Sequence, residues 1–213
     1  HMTIEDFVLD DIVEALETSS DYWNRRELIQ QENNKNPVTR RGLALTPVKF
    51  GISFTATWFN QAGALLHIYK DGSVHLNHGG TEMGQGLFTK VAQVVATALG
   101  LPIEQIKISA TRTDKVPNTS ATAASSGADL NAMAARNAAI VLKKRLSSFA
   151  AHHFKIDTES LRFEDGKIDL GDQSISFSKL VELAYMNRVQ LSATGFYRTP
   201  KIHYDRKNAK GRP

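Results

Sequence analysis

The chain has 213 residues and a net charge of +4 at pH 7; 41% of the residues are hydrophobic and 23% are charged. This composition is typical of a globular protein with a substantial core, and it argues against extensive disorder. The basic residues do not form the stripe interleaved with aromatic residues that nucleic-acid binding favours, and no apolar run approaches the ~20 residues of a membrane span. We therefore predict neither a nucleic acid nor a membrane as a partner.

The chain contains no cysteine, which excludes disulfides, iron–sulfur clusters and thiolate metal sites within it. This fits a reducing compartment, and we predict a cytoplasmic location. The opening His1-Met2 is typical of the remnant of a cleaved tag rather than of a signal peptide. Together with the polar run at 206–213, which has no capping element, it predicts an internal fragment of a longer protein.

The first part of the chain has a helical pattern. Apolar residues recur at helical spacing between residues 4 and 32, with a break near Ser19 and Ser20. Residues 31–37 are polar, end in proline and predict a connector. The predicted organisation is a tag remnant at 1–2, a helical arm with its connector at 3–37 and a larger domain at 38–213.

The larger domain begins with residues typical of strands. Strands are predicted at 43–45, 48–57, 64–69 and 74–77. Apolar and polar residues alternate in the second of them, as in a half-buried strand. Asp71-Gly72 lies between the last two strands and predicts a β-hairpin.

Helices and strands alternate in the rest of the chain. A helix is predicted from Leu87 to Ala98, ended by Gly100. A long alanine-rich helix is predicted within 117–146, opening with capping residues and ending in basic residues, as the helix dipole favours. A strand at 106–108, a helix at 177–186 and a strand at 189–196 complete the pattern. We predict an α/β (α+β) fold: a mixed sheet with two long flanking helices, preceded by the helical arm.

A glycine-rich segment, HGGTEMGQGLFTK at 78–90, joins a predicted strand to a predicted helix. A helix that begins near Met83 leaves its first N–H groups unpaired, so a polar or anionic ligand could contact the backbone there, with Gln85 adding an amide. The spacing is neither that of a Walker A loop nor that of a dinucleotide fingerprint. A tight turn without a ligand is the commoner explanation of such glycines.

The segment before the long alanine-rich helix resembles this arrangement in its chemistry. Residues 118–127 are small and rich in hydroxyl groups, more than one N-cap needs. Two such helix starts in one domain predict a single extended polar ligand, which could carry a phosphate, lying across both. The alternative is that the small residues let the helix pack tightly against its neighbours.

Four segments resemble, in the same order along the chain, the molybdenum-cofactor domain of xanthine dehydrogenases. They are KFGISFT at 49–55, DGSVHLNHGGTEMGQGLFTK at 71–90, VPNTSATAAS at 116–125 and SATGFYRTP at 192–200. The GTExGQG pattern alone is typical of the wider aldehyde oxidase and xanthine dehydrogenase superfamily, whereas KFGISFT indicates the purine-oxidising branch.

The resemblance implies a molybdenum-pyranopterin cofactor (molybdopterin). In the family a Gly-Gln pair lies against this cofactor, and the corresponding residues here are Gly84 and Gln85. An Ala-Ala-Ser segment lies near the molybdenum and the pterin, and the corresponding residues are Ala123, Ala124 and Ser125. The backbone of Ala124 is expected close to the molybdenum, with no side chain as a metal ligand. The second serine of the family is replaced by Gly127, which removes one hydroxyl contact.

The resemblance also assigns a substrate wall. Phe54 corresponds to an aromatic residue that packs on the purine ring, and Thr55 to its substrate-contacting neighbour, whereas the pattern alone predicts Phe54 as an ordinary core residue. No catalytic residue is expected within this chain, because the family's general base belongs to a later Gly-Glu-Pro-Pro motif. Glu82 is instead predicted to favour the helix start. The histidines lack the spacing of metal ligands and are predicted on surfaces or strand faces; they include His67, His75, His78, His152 and His153.

The function that the resemblance implies is hydroxylation of xanthine or hypoxanthine to urate. Electrons would pass through 2Fe–2S clusters and FAD, held by other segments or subunits, to NAD. The isolated chain is expected to be inactive and to self-associate through surface exposed by truncation. One alternative is a related molybdenum hydroxylase of the aldehyde oxidase type. The other, a cofactor-free scaffold, is disfavoured by the small residues Gly84, Gly86 and Ala124.

Overall fold

The computed structural model describes residues 7–48, 50–115 and 119–212. The α-helices in these ranges are α1 (Leu9–Ser19), α2 (Tyr22–Lys35), α3 (Leu87–Leu99), α4 (Gly127–Phe154) and α5 (Phe177–Met186). The strands are β1 (Gln61–Ile68), β2 (Val74–His78), β3 (Ile106–Ile108), β4 (Arg162–Glu164), β5 (Lys167–Asp169), β6 (Ser174–Ser176), β7 (Ser192–Arg198), β8 (His203–Asp205) and β9 (Lys210–Arg212). No helix in these ranges combines the length and the apolar character that crossing a membrane requires.

The central sheet is mixed, as predicted. Its four strands lie in the order β3-β2-β1-β7, with β1 antiparallel to both of its neighbours and β2 parallel to β3. Parallel strands need a crossover connection, and α3 lies in the connection between β2 and β3. The β1–β2 hairpin forms at Asp71-Gly72, where the Asp71 carboxylate accepts hydrogen bonds from the backbone and the hydroxyl of Ser73.

One face of the sheet carries the core. In the β1–β2 pairing Leu66 lies opposite Leu76 and Ile68 opposite Val74, and all four side chains are buried. Because side chains alternate between the faces of a strand, the neighbouring His67–His75 pair lies on the opposite face. The buried face packs with the apolar faces of α3 and α4 in a single core. This packing fixes the two long helices on the sheet and thereby positions the candidate site.

The alanine-rich sequence of α4 serves close packing against β7. A Cβ atom at Gly195 would clash with the carbonyl oxygen of Ala134 and would lie 2.6 Å from the backbone nitrogen of Ala138. Ala134 and Ala138 themselves are fully buried. Small residues on both elements therefore let the helix backbone approach the strand backbone.

Residues 43–45 and 48–57 are not strands, so these two predictions are wrong within the described residues; Lys49 lies outside them. Around Phe54 the reason is visible at Asn60, which is buried. Its side-chain Oδ1 accepts from the backbone N–H of Phe54 (2.9 Å), and its Nδ2 donates to the carbonyl oxygens of Phe54 (3.0 Å) and Thr57 (3.1 Å). A side-chain amide, rather than a neighbouring strand, satisfies the backbone of this segment.

The long helix α4 begins later and ends later than predicted. It starts at Gly127 and continues to Phe154, so the basic residues 143–145 lie in its middle instead of at its C-terminus. The side chain of Arg145 donates to the carbonyl oxygens of Gln190 (2.6 Å) and Ser192 (3.1 Å). Arg145 therefore serves tertiary contacts and not the helix dipole.

The remaining elements extend the domain. β4, β5 and β6 form a small antiparallel sheet, and β8 pairs with β9; neither was predicted from the sequence. The helix predicted at 177–186 has these bounds, whereas α2 continues to Lys35 into the predicted connector. In the arm, α1 packs on α2 and only Tyr22 is buried among their residues. The domain boundary at 37/38 stays a prediction, and the proposed tag remnant lies outside the described residues.

Candidate functional site

The glycine loop (residues 79–86) contains glycines with two different physical roles. A Cβ atom at Gly79 would clash with the side chain of Thr119, and one at Gly80 would lie 2.6 Å from Cδ2 of Leu87. Gly84 and Gly86 have φ angles of +97° and +75°, and a Cβ atom on either would meet no atom within 4 Å. Two glycines thus permit close packing inside the protein, and two hold a left-handed backbone beside open space.

The carboxylate of Glu82 organises this loop. The helix begins at Leu87 and not near Met83, and the N–H groups before it point at Glu82. Oε1 accepts from the N–H groups of Gly84 (2.9 Å) and Gly86 (3.0 Å), and Oε2 accepts from that of Phe88 (2.9 Å). These bonds, of which the one from Phe88 has the largest effect, hold the pKa of Glu82 below its usual range. The N–H groups that we expected to face a ligand are therefore taken by the protein itself.

The amide of Gln85 closes the loop from the other side. Its Oε1 accepts from the N–H of Met83 (2.6 Å), and its Nε2 donates to the carbonyl oxygen of Thr81 (2.9 Å). An amide group has two N–H donors and two acceptor lone pairs. One donor and one lone pair of Gln85 therefore remain for a ligand.

The pre-helix segment (residues 119–126) contains strained backbone. Ala124 and Ser125 both have left-handed conformations, with φ angles of +53° and +52°. Such conformations cost about 1–3 kcal/mol per non-glycine residue, and they are concentrated at functional sites. The Ser126 hydroxyl donates to the carbonyl oxygen of Ala123 (3.0 Å), which helps to hold the turn. The strain falls on the residues that the sequence analysis assigned to the cofactor.

The glycine loop and the pre-helix segment line a common cavity of about 470 Å³, which we call the loop cavity. Its lining consists of Met83, Gln85, Leu87, Lys90, Thr122, Ala123, Ala124, Ser125, Gly127 and Ala128. Four of the five predicted cofactor-binding residues are brought together here, and the fifth, Gly84, lies in the loop without lining the cavity. Of the described residues that line it, only Lys90 is charged.

Six residues of this lining were not among the predicted cofactor-binding residues: Met83, Leu87, Lys90, Thr122, Gly127 and Ala128. Met83 lies inside the glycine motif and Thr122 directly precedes the Ala-Ala-Ser segment, so their position in the motifs was an available signal. Lys90 follows Gly86 by four residues, one helical turn, which also could have indicated it.

A buried histidine accepts a hydrogen bond from the backbone of the glycine loop. His78 is 2% exposed, and its Nδ1 accepts from the N–H of Gly80 (3.1 Å). Burial lowers the pKa of His78 to about 4, so the ring is neutral at pH 7 and its proton is on Nε2. The Thr111 hydroxyl donates to the carbonyl oxygen of Gly80 (2.6 Å). Among the described residues, no group of three or more His, Asp or Glu side chains is arranged to hold a metal ion.

Phe54 and Thr55 line a different cavity, of about 140 Å³, which we call the hairpin cavity. Its lining consists of Gly51, Ser53, Phe54, Thr55, His203, Tyr204 and Arg212, and it shares no residue with the loop cavity. The ring of Phe54 packs against Phe59, with centroids 5.5 Å apart. The structure thus does not bring the predicted substrate wall and the predicted cofactor residues into one cavity.

Comparison with known proteins places these features in a family. Residues 15–213 match the family model described as molybdopterin cofactor-binding domain. The chain belongs to this family. The predicted binding of a molybdenum-pterin cofactor is therefore confirmed at the level of the family, and so is the α/β fold.

The relatives and solved structures that it resembles agree with this assignment. The chain is 44% identical to the xanthine dehydrogenase/oxidase of Gallus gallus over 210 residues, which are 99% of this chain and 14% of that protein. It is 48% identical to the xanthine dehydrogenase of Calliphora vicina over 186 residues, 87% of this chain and 12% of that protein. A crystal structure of the Cu,Mo-CO dehydrogenase is 25% identical, with a TM-score of 0.69 over 88% of this chain and 26% of that one. The predicted resemblance to xanthine dehydrogenases is confirmed, although the chain spans only about one seventh of the length of such relatives.

The role of Glu82 predicts a specific pH dependence. Replacing Glu82→Gln removes a carboxylate whose pKa is lowered by folding, so its stabilising contribution is present above the unfolded pKa and is lost as pH falls through the folded pKa. We expect the variant to be less stable at neutral pH, with a difference from wild type that shrinks in acid. Denaturant unfolding between about pH 7 and about pH 3 measures this difference. Glu17→Gln on exposed α1 is the matched control, and a difference independent of pH would contradict the role of Glu82.

Proposed function

We propose that this chain is the molybdopterin-binding part of an enzyme that hydroxylates xanthine or hypoxanthine to urate. The observation that carries the proposal is the loop cavity, where residues from two separate sequence motifs converge beside strained backbone. The xanthine dehydrogenases among its relatives are 43–48% identical to the chain, which supports the purine substrate. The bound cofactor supplies the oxygen-transfer and electron-transfer chemistry, while the protein binds and orients it.

The lining of the loop cavity fits such a cofactor. Small side chains at Ala123 and Ala124 leave room in the cavity for a ring system, and open space adjoins Gly84 and Gly86 in the neighbouring loop. The remaining donor and acceptor of Gln85 and the hydroxyl of Ser125 would bind its polar edges. Because Glu82 already occupies the start of α3, the cofactor would not be held by the dipole of that helix.

Charge at this site supports the same assignment. Lys90 is the charged side chain that lines the loop cavity. A cation at this position would attract an anionic cofactor, whereas the carboxylate of Glu82 would repel it. The positive end of the helix is therefore not the source of the attraction, and Lys90 takes that role.

The substrate wall forms the second half of the proposal. An aromatic ring beside a dry cavity is suited to a flat heteroaromatic substrate. Phe54 is half-buried and keeps part of its ring at the hairpin cavity, with Thr55 exposed beside it. The similarity to xanthine dehydrogenases, rather than the position of this cavity, supports the assignment of Phe54 and Thr55 to the substrate.

Other parts of the electron path would lie outside this chain. Cysteine thiolates are the usual ligands of 2Fe–2S clusters, and the chain contains none. We therefore place the iron–sulfur clusters on other segments or subunits, and we propose the same for FAD and the site for NAD from the resemblance to xanthine dehydrogenases. Contacts with those segments or subunits are the partner interactions that the proposal requires.

The first prediction concerns the cofactor. The variant Ala123→Leu adds bulk to the wall of the loop cavity at an exposed residue, so it should exclude the cofactor without unfolding the chain. We expect the molybdenum content per protein of the purified full-length enzyme to fall severalfold, as measured by elemental analysis. Ala121→Leu is the matched control, because Ala121 is also exposed but does not line the cavity. Equal molybdenum in both variants would contradict the location of the site.

The second prediction concerns the substrate. Phe54→Ala removes the aromatic wall, and we expect kcat/KM for xanthine-dependent reduction of NAD to fall about tenfold at equal molybdenum content. Phe196→Ala, on exposed strand β7, is the matched control. We expect the isolated 213-residue chain to show no turnover, because among the described residues no carboxylate that could act as the general base lines either cavity. An enzyme that contains molybdenum but ignores xanthine would refute the substrate assignment.

The third prediction concerns self-association of the isolated chain. Large apolar side chains of α1 and α2 are exposed, including Ile12, Leu16, Trp23 and Leu28. Burying such a surface favours association, so the apparent mass should rise with concentration. Light scattering over a range of concentrations measures it, with Leu16→Lys as the variant that should reduce the effect. A constant monomer mass would contradict the proposal.

A further inference from the structure

We infer that Thr122 is a positioning residue that holds the glycine loop against the pre-helix segment and thereby sets the shape of the loop cavity. Its effect on the cofactor rests on the proposed function, whereas its effect on the loop does not. The side chain of Thr122 acts through the two segments that it joins.

The first observation is a hydrogen bond across the cavity wall. The backbone N–H of Thr81 donates to Oγ1 of Thr122 at 2.8 Å, and the two residues are 41 positions apart in the sequence. Within the part of the chain that the structure describes, it is the one hydrogen bond between the glycine loop and the pre-helix segment. The bonds of Glu82 and Gln85 stay inside the glycine loop or reach the start of α3. They shape the loop but do not attach it to its neighbour.

The second observation is the packing around the same side chain. Cγ2 of Thr122 lies 3.3 Å from the position that a Cβ atom on Gly127 would occupy. The methyl group therefore fills space next to the first turn of α4, while the hydroxyl group faces the glycine loop. A serine at position 127 would press on this methyl group. The glycine at 127 thus leaves room for the methyl group of Thr122.

The third observation is the strain that follows Thr122 in the chain. Ala124 and Ser125 adopt left-handed conformations two and three residues later. Strained backbone persists only where its surroundings fix it. Thr122 fixes one end of this turn, and the start of α4, where the Ser126 side chain bonds to Ala123, fixes the other. Loss of the Thr81–Thr122 bond should release the turn and widen the loop cavity.

The test compares two substitutions at this position in the full-length protein. Thr122→Val keeps the branched shape and removes the hydroxyl acceptor, whereas Thr122→Ser keeps the acceptor and removes the methyl group. Thr194→Val on the exposed face of β7 is the matched control. The readouts are the hydrogen-exchange rate of the Thr81 amide, resolved from that of Gly80, and the molybdenum content per protein. The Gly80 amide, which donates to His78, is the internal reference.

We expect the Thr81 amide to exchange about fivefold faster in Thr122→Val than in the wild type. The net contribution of one hydrogen bond corresponds to roughly that factor in an equilibrium constant. Its molybdenum content should fall, and Thr122→Ser should retain both properties. If Thr122→Val does not fold, Thr122→Ala is the replacement, because it removes the acceptor without adding an apolar group.

Unchanged exchange of Thr81 in Thr122→Val would overturn the inference, as would equal losses in the Val and Ser variants, which would assign the effect to the methyl group. If the wild-type protein contains no molybdenum, the proposed function fails. The exchange rate of Thr81 then still decides whether Thr122 positions the loop.

Discussion

The approach of α4 to β7 is the constraint on which the candidate site depends. The helix backbone and the strand backbone come so close at Gly195 that any side chain there would overlap the carbonyl oxygen of Ala134. This contact positions α4 on the sheet, and the start of α4 carries the pre-helix segment. Since α3 packs against α4 and begins at the glycine loop, the same packing brings the two segments of the loop cavity together. The cavity is therefore a consequence of core packing, although little of its lining belongs to the core.

The glycine loop differs from helix N-termini that bind anions in which group accepts the N–H hydrogen bonds. In those sites the free N–H groups of the first turn attract the ligand. Here the carboxylate of Glu82 accepts the hydrogen bonds of Gly84, Gly86 and Phe88 before any ligand arrives. These bonds restrain the loop, which would reduce the entropy that binding of the proposed cofactor costs. In the proposed function, recognition of the cofactor is left to Gln85, to the hydroxyl of Ser125 and to Lys90.

The two cavities differ in how their walls are held in place. The loop cavity is bounded by two segments that are connected by a hydrogen bond and fixed by packing on α3 and α4. The hairpin cavity lies between an irregular segment, held by Asn60, and the short pair β8–β9. Residues 123–125 thus have a structural context that explains their proposed role, whereas Phe54 and Thr55 owe theirs to similarity with xanthine dehydrogenases.

The sequence alone determined those elements whose causes are local. The hairpin at Asp71-Gly72 and helix α5 were predicted correctly, because the residues that form the turn or cap the helix lie next to the apolar pattern. In α5 the cap is Ser176, whose hydroxyl accepts from the N–H of Lys179. The motifs also named the glycine loop and residues 123–125 as parts of one site, and Glu82 was predicted to favour the helix start, although the spacing did not show which N–H groups its carboxylate accepts from. Only the tertiary structure decided this, together with the irregular backbone around Phe54 and the length of α4. In each case the deciding partner, whether the carboxylate of Glu82, the amide of Asn60 or the carbonyl groups that bind Arg145, acts through geometry that residue spacing does not encode.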